Sequence, residues 1–574
     1  MSSMASPAGR AHLFSRKPIP SGIELLQGNK LPEHRFSRGP FSPWSPPEKT
    51  TPDAVLTRAL ASKTKEATDG LTPEKREQLN LPIYQIREKL LRAVDLSDVV
   101  VITAETGAGK STQVPQMLLD QGYTVTMTQP RRLAASSVAL RIAKERGEEL
   151  GEEVGYRHAL HEAVSSDSKL IISTDGFELR KALYGPRHEQ SDVLIIDEFH
   201  ERNQSMDALL AVHEKRLNEY RHGKGPKPPK LIIMSATIDA ETLSERFGAP
   251  VLTAKGRAYP IERREPGESI AHDAISLAYQ GKNVLVFLPG KPEIRAMQDQ
   301  LDELGVDAEV LPLHSQLTAE EQERCFQSFD RAKIILATNI AETSITIPDI
   351  DAVIDSGLEK DVELVDGVET LSAKDVSKFN VFQRMGRCGR CGPGVYIYHG
   401  QTPIDQLAPM PSPEIERVAL EKLFLTLSCA GESIERLPFL NRPPQENIDL
   451  ARKALYQLNL LGPTDFPTEE GRRVSELPVD VRTGKMLARA EEMDRSTPGL
   501  LENAIDIASI IEAEGIVVPE SKKRWRKLCE GEFESDHIAQ LRVFHAAKEK
   551  APFVADNFGI DATAFRRAIE MSHL

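Results

Sequence analysis

The sequence predicts an α/β protein with two parallel-sheet lobes in tandem, followed by a mostly helical C-terminal region. Three observations carry this. From about Leu81, short apolar runs alternate with longer segments of helical period, the signature of βα units feeding a parallel sheet. The alternation breaks near Tyr259 and Pro260 and then begins again. After about Gln401 the runs stop, and apolar residues recur at helical spacing. A chain of 574 residues is long enough for several cores of ordinary size.

Taken in order, residues 1–80 form a Pro-rich, basic arm, read as mostly disordered because it has no sustained apolar period. Its acid-poor start loosely resembles an organelle transit peptide, but the prolines make a poor amphipathic helix. Residues 81–256 form the first lobe, with strands at Val99 to Thr103, Val125 to Thr128, Leu170 to Ser173, Val193 to Ile196 and Leu231 to Met234. Residues 257–404 form the second, with strands at Val284 to Leu288, Ile334 to Thr338, Val353 to Asp355 and Val395 to Tyr398. Helices are expected at Glu416 to Leu427, Ile448 to Leu461 and Leu501 to Ile511, divided between units 405–475 and 476–574. Within the second lobe, Val362 to Leu371 alternates around Asp366-Gly367, a hairpin signal.

Composition narrows the function classes. No stretch approaches the roughly 18 consecutive apolar residues of a membrane-spanning helix, so no membrane partner is expected. The net charge of -14 is not that of a basic nucleic-acid-binding domain, and any such contact must come from local geometry. Five scattered cysteines fit a reducing, intracellular compartment, the cytoplasm first, better than a disulfide framework. Cys388 and Cys391 form a C-x-x-C without a second Cys/His pair to complete a zinc site.

The chemistry is concentrated at two strand ends. Glu105-Thr106-Gly107-Ala108-Gly109-Lys110-Ser111-Thr112 follows an apolar strand and precedes a helix, the context that a phosphate-binding loop requires. Glycines turn backbone N–H groups toward phosphates, Lys110 reaches the outer ones, and the Ser111 hydroxyl can ligate Mg2+. Ala104 stands where the usual pattern has its first glycine. The second strand end is Asp197-Glu198-Phe199-His200, after Val193 to Ile196. It puts two carboxylates at the carboxyl edge of the sheet, Asp197 and Glu198 as magnesium holders and Glu198 also as general base. Together these motifs specify a P-loop nucleoside triphosphatase.

Asp197-Glu198-Phe199-His200 resembles the signature tetrapeptide of the DEAH-box (DEAH/RHA-type) helicases of superfamily 2, with Phe199 in place of Ala. Further family blocks follow in order: Thr128-Gln129-Pro130-Arg131-Arg132, Thr174-Asp175-Gly176, Ser235-Ala236-Thr237, Leu313-His314-Ser315, Ala337-Thr338-Asn339-Ile340-Ala341-Glu342-Thr343-Ser344 and Gln383-Arg384-Met385-Gly386-Arg387-Cys388-Gly389-Arg390. The resemblance implies two RecA-like lobes, then winged-helix-like and ratchet-like domains, with an oligonucleotide-binding fold beginning about where the chain ends. It implies ATP and Mg2+ as ligands, RNA (single-stranded or as a tailed duplex) as substrate, and 3′ to 5′ movement. His200 joins the catalytic set, Gln383 orients the attacking water, and Ser235, Ala236 and Thr237 couple the two sites. Arg141 and Phe326 sandwich the base; stacking tolerates any base, so other nucleoside triphosphates are expected to serve. Thr128, Arg131, Arg132, Thr174, Thr338 and Asn339 are the nucleic-acid contacts, and the hairpin acts as a wedge at a duplex junction. Independently of the name, Arg387 and Arg390 lie three residues apart and can present guanidinium groups from the second lobe to a triphosphate held by the first. Contacts to phosphate and sugar discriminate poorly between nucleic acids, which keeps a DNA-directed translocase and a nucleotide-switched RNA clamp as alternatives.

Overall fold

The computed structural model describes residues 70–574 apart from 106, 159–161, 186–189, 237–239, 257–258, 315–316, 318, 343–346, 348, 366, 391, 518–534, 551–558 and 574. Thr106, Thr237, Ser315, Thr343, Ser344, Asp366, Cys391 and almost all of the N-terminal arm therefore lie outside the described residues.

The first sheet comprises β1 (Val99–Ala104), β2 (Val125–Gln129), β3 (Val154–Arg157), β4 (Glu162–Ala163), β5 (Leu170–Thr174), β6 (Val193–Ile196), β7 (Lys230–Ser235) and β8 (Val251–Ala254). Their spatial order is β4-β3-β5-β2-β6-β7-β1-β8, and every pairing is parallel except β3 with β4. Central strands carry Val, Ile and Leu on both faces because helices cover both; every residue of β6 is buried. The second sheet comprises β9 (Ile261–Arg264), β10 (Val284–Phe287), β11 (Glu309–Leu313), β12 (Lys333–Ala337), β13 (Ala352–Asp355) and β16 (Gly394–Tyr398). It is wholly parallel, in the order β11-β12-β10-β13-β16-β9. Strands β14 (Leu358–Val365) and β15 (Val368–Asp375) form a separate antiparallel hairpin.

The apolar runs mark the central strands. They do not mark β3, β4, β8, β9 or β11, which lie at or near sheet edges. A strand packed on one side carries polar and exposed residues, as Glu262 and Arg263 do in β9.

Beyond the second sheet the described residues are helical, through Glu414–Arg417, Glu421–Cys429, Gln445–Gln457, Glu469–Glu476, Val481–Asp494, Leu500–Glu512, Asp536–Lys550 and Ala562–Ser572. One expectation is corrected. Glu416 to Leu427 is not one helix: Val418 is extended (φ -116°, ψ 170°) and splits it. The backbone there is engaged elsewhere, since Ala419 N donates to Glu369 Oε1 at 3.0 Å and Ala419 O accepts from Gln204 Nε2 at 3.0 Å.

One face of the first sheet packs with the helices Lys110–Leu119 and Arg132–Arg146 in a core of its own lobe. The other face shares a core with the C-terminal helices: Leu209, Val212 and Phe247 join Ile415, Phe424, Ile448 and Val481. Among the described residues, the cores of the second sheet draw only on positions 261–407.

Candidate active site

Strand β1 delivers the phosphate-binding loop to the sheet edge, where Gly107 and Gly109 adopt left-handed backbone (φ 85° and 90°). At Gly109 a Cβ would also lie 2.9 Å from Leu81 Cδ1, so both conformation and space require glycine. Ala108 is pinned by two backbone bonds, donating to Glu105 O at 3.1 Å and accepting from Ile83 N at 3.0 Å. Lys110 opens the helix that follows, with Ser111 and Thr112 in its first turn. Buried Gln113 and Gln116 of that helix both donate to Glu145 Oε2 at 2.8 Å. Arg141 ion-pairs with the same carboxylate, Nε to Oε1 at 3.0 Å, and is two-thirds exposed. Phe326 lies in the other lobe, partly buried against its core.

Strand β6 delivers the carboxylates. Asp197 is fully buried and accepts from Gln129 Nε2 at 2.7 Å and from Glu198 N at 2.9 Å. Burial and the neighbouring Glu198 charge push its pKa up to about 6, against the pull of Lys110 and Ser111. Glu198 sits at φ 52°, and Arg202, at φ 44°, closes the 3-10 turn Phe199–Glu201. Lys110 Nζ lies 2.8 Å from Glu198 Oε1. Burial would raise the Glu198 pKa, but the Lys110 ammonium and the Arg387 guanidinium hold it below the usual carboxylate value. The same two carboxylates keep buried Lys110 protonated. His200 is neutral, its pKa lowered to about 4 by burial. Its Nδ1 lies 3.3 Å from Ser235 Oγ at the end of β7, and Ala236 beyond it is buried. Phe199 is buried in the core shared with the C-terminal helices, with the Arg202 guanidinium 5.3 Å from its ring centre.

The second lobe closes the site. Helix Lys378–Met385 carries Phe379, whose ring centre is 5.0 Å from that of His200, and Gln383, which is buried. Arg384 is anchored beneath by Glu342 Oε2 at 3.0 Å and Asp355 Oδ1 at 2.8 Å, which ties two of the predicted motif segments together. Arg387 is also buried; desolvation and the nearby Arg390 charge lower its pKa to about 9, while Glu342 and Glu198 oppose them. Arg387 and Glu198 thus feel each other across the lobes. Arg390 Nε donates to Gly386 O at 3.2 Å. Cys388 is buried, its thiol raised to about 11 by desolvation, which makes it unreactive.

The nucleic-acid candidates lie at carboxyl edges of the two sheets. Arg131, Thr174 and Thr338 are half-buried and Arg132 and Asn339 exposed, whereas Thr128 is wholly buried beside Asp175. Arg131 pairs with Glu201 at 3.6 Å. Sequence reasoning did not single out Asn203, which caps helix Gln204–Arg221 and bonds Asp175. The signal was present as a cap residue directly before an apolar helix.

Two families match the chain: the DEAD/DEAH box helicase family over residues 84–245 and the helicase conserved C-terminal domain over residues 269–392. The chain is 32% identical over 510 residues to the ATP-dependent RNA helicase DHX33 of Drosophila melanogaster, a match that covers 83% of this chain and 73% of that protein. Its fold is similar to a crystal structure of the Escherichia coli DEAH/RHA helicase HrpB, with a TM-score of 0.67 and 29% identity over 83% of this chain and 63% of that one. A second structure, described as the E. coli DExH-box NTPase HrpB, gives a TM-score of 0.66 and 30% identity over 82% and 58%. The chain thus spans less than two thirds of both solved chains.

Proposed function

The chain belongs to the DEAH-box helicase family, and from that premise we propose that it hydrolyses ATP to move along single-stranded RNA, 3′ to 5′, unwinding duplexes or remodelling ribonucleoprotein. One observation supports this above the others: Lys110 and Glu198 of the first lobe share a buried site with Arg387 of the second. A triphosphate held there would bridge the lobes, so its hydrolysis would change how they meet.

On this reading the loop 105–112 cradles the phosphates, and Lys110 exchanges Glu198 for the outer ones. The buried pairing of Asp197 with Gln129, and its closeness to Ser111, suit a hard divalent cation. Ser111, Asp197 and Glu198 would hold Mg2+, which supplies charge neutralisation at the phosphates. Glu198 takes the proton of the attacking water, which Gln383 orients. Arg387 and Arg390 stabilise charge on the transferring phosphoryl group. Through its contact with Ser235, His200 links the turn to the segment 235–237. Arg141 and Phe326 would hold the base by stacking, so other nucleoside triphosphates serve as well. Arg131, Arg132, Thr174, Thr338 and Asn339 contact the strand backbone, Thr128 supports that edge from below, and winged-helix-like and ratchet-like helices flank the strand. No helix among the described residues is long and apolar enough to cross a membrane. The free, buried thiols of Cys325 and Cys388 suit a reducing compartment, the cytoplasm.

The test is phosphate release with and without nucleic acid, run beside strand separation on 3′-tailed RNA and DNA duplexes. We expect RNA to stimulate hydrolysis and the RNA duplex to be unwound. Equal hydrolysis with and without nucleic acid would overturn the translocase reading, and a preference for the DNA duplex would reassign the substrate.

A further inference from the structure

The turn that carries Glu198 ends in a residue that reaches toward the strand-binding edge. Four residues, 199–202, separate Glu198 from Asn203. The Asn203 side chain has two engagements. Its Oδ1 accepts from Met206 N at 2.9 Å, capping helix Gln204–Arg221. Its Nδ2 donates to Asp175 Oδ2 at 2.7 Å.

Asp175 is only 2% exposed and opens helix Asp175–Tyr184, directly after Thr174. Thr128 lies beside the same carboxylate. Asp175 therefore sits between the ends of β2 and β5, the two strands that present first-lobe candidates for the nucleic-acid backbone. A buried carboxylate held by so few donors responds to small shifts of either, because the bonds that offset its desolvation are short and directional.

The far end of the turn is fixed. Arg202 binds Asp207 Oδ1 at 2.6 Å and Asn441 Oδ1 at 2.9 Å, and its carbonyl accepts from Glu414 N at 3.0 Å. Gln204 N donates to Glu414 Oε2 at 2.9 Å. With 202 and 204 both clamped to the C-terminal helices, the side chain of Asn203 is the short polar link from the turn to Asp175. We propose that Asn203 is a positioning residue that couples strand binding to hydrolysis, by tying Asp175 at the nucleic-acid edge to the turn that bears Glu198. This link is separate from the contact of His200 with Ser235, and it rests on the reading of the β2 and β5 ends as the strand-binding edge.

The experiment compares Asn203→Ser and Asn203→Ala in the full chain. Serine keeps an N-cap oxygen but is too short to reproduce both engagements; alanine removes both. Three quantities are read: ATP turnover without nucleic acid, the stimulation given by a single-stranded oligouridylate, and the affinity for that oligouridylate. The expected result for Asn203→Ser is a wild-type melting temperature, unchanged basal turnover and affinity, and stimulation reduced by about tenfold, the scale of ordinary inter-site coupling. Asn203→Ala shows the same loss of stimulation with a lowered melting temperature. A folded Asn203→Ser protein stimulated as strongly as wild type overturns the proposal. A fall in basal turnover parallel to the stimulated rate also overturns it, because the residue would then shape the turn itself. Absence of stimulation in the wild-type protein overturns both this link and the translocase reading.

Discussion

Glu198 combines a strained backbone with a committed side chain. Its left-handed conformation costs a non-glycine residue on the order of 1–2 kcal/mol, and the ion pair with Lys110 holds its carboxylate in place. Glu198→Gln keeps shape and volume and removes only the basic oxygen. Hydrolysis should fall by about 100-fold or more, with nucleotide binding retained, as phosphate release and fluorescent-nucleotide titration would show. Unchanged turnover would remove Glu198 from the role of base. Elsewhere in the first lobe, His213 is buried and neutral, its pKa lowered from 6.5 to about 4 by desolvation. The unfolded chain therefore binds a proton between those values that the folded chain refuses. The stability this contributes is complete above pH 6.5 and is lost as pH falls toward 4, up to roughly 3 kcal/mol. Glu178 lines the same small cavity with a raised pKa and acts in the opposite sense. His213→Leu should flatten the acid side of the stability profile, measured as urea midpoints at pH 5 and pH 7.5; an unaltered difference would assign the acid sensitivity to other groups.

At the scale of elements, the β14–β15 hairpin is seated on the C-terminal helices. Arg417 Nη1 donates to Val362 O at 2.7 Å and pairs with Asp361 Oδ1 at 2.6 Å, and Glu369 accepts from Ala419 N. Its outer positions Val365, Val368 and Leu371 stay exposed. Arg417→Ala should release the seat without unfolding the lobe. Hydrogen exchange across Leu358–Asp375 should then accelerate by about tenfold, as expected for the loss of a charged hydrogen bond; unchanged protection would place the seat elsewhere. The hairpin was legible because alternation and a Gly367 turn are local signals. So were the phosphate loop and the β6 carboxylates, whose spacing is itself the chemistry. The break at Val418 was not, because partners 50 and more residues away dictate it. The same holds for Arg384, which reads as one more basic residue in an Arg-rich stretch yet is clamped between Glu342 and Asp355. Phe199 reads as a variant letter in a motif, and only the fold shows it plugging a core built from two distant parts of the chain.

For the whole molecule, the shared core makes the first lobe and the helices between Glu414 and Asp494 one body, with the second lobe set between them in sequence. A fragment spanning 257–411 retains its own cores and should melt cooperatively. A fragment spanning 70–256 exposes the face formed by Leu209, Val212 and Phe247, and should aggregate or bind a hydrophobic dye. A soluble, cooperatively melting 70–256 fragment would contradict the shared core. The division also gives the hairpin a mechanical meaning. An eight-residue strand is a rigid arm of about 26 Å at about 3.3 Å per residue. Arg417 and Ala419 grip that arm at Asp361, Val362 and Glu369, the last beside its tip, so its base cannot rock without breaking these bonds. The hairpin is thereby a strut that ties the second lobe to the helices from Glu414 onward.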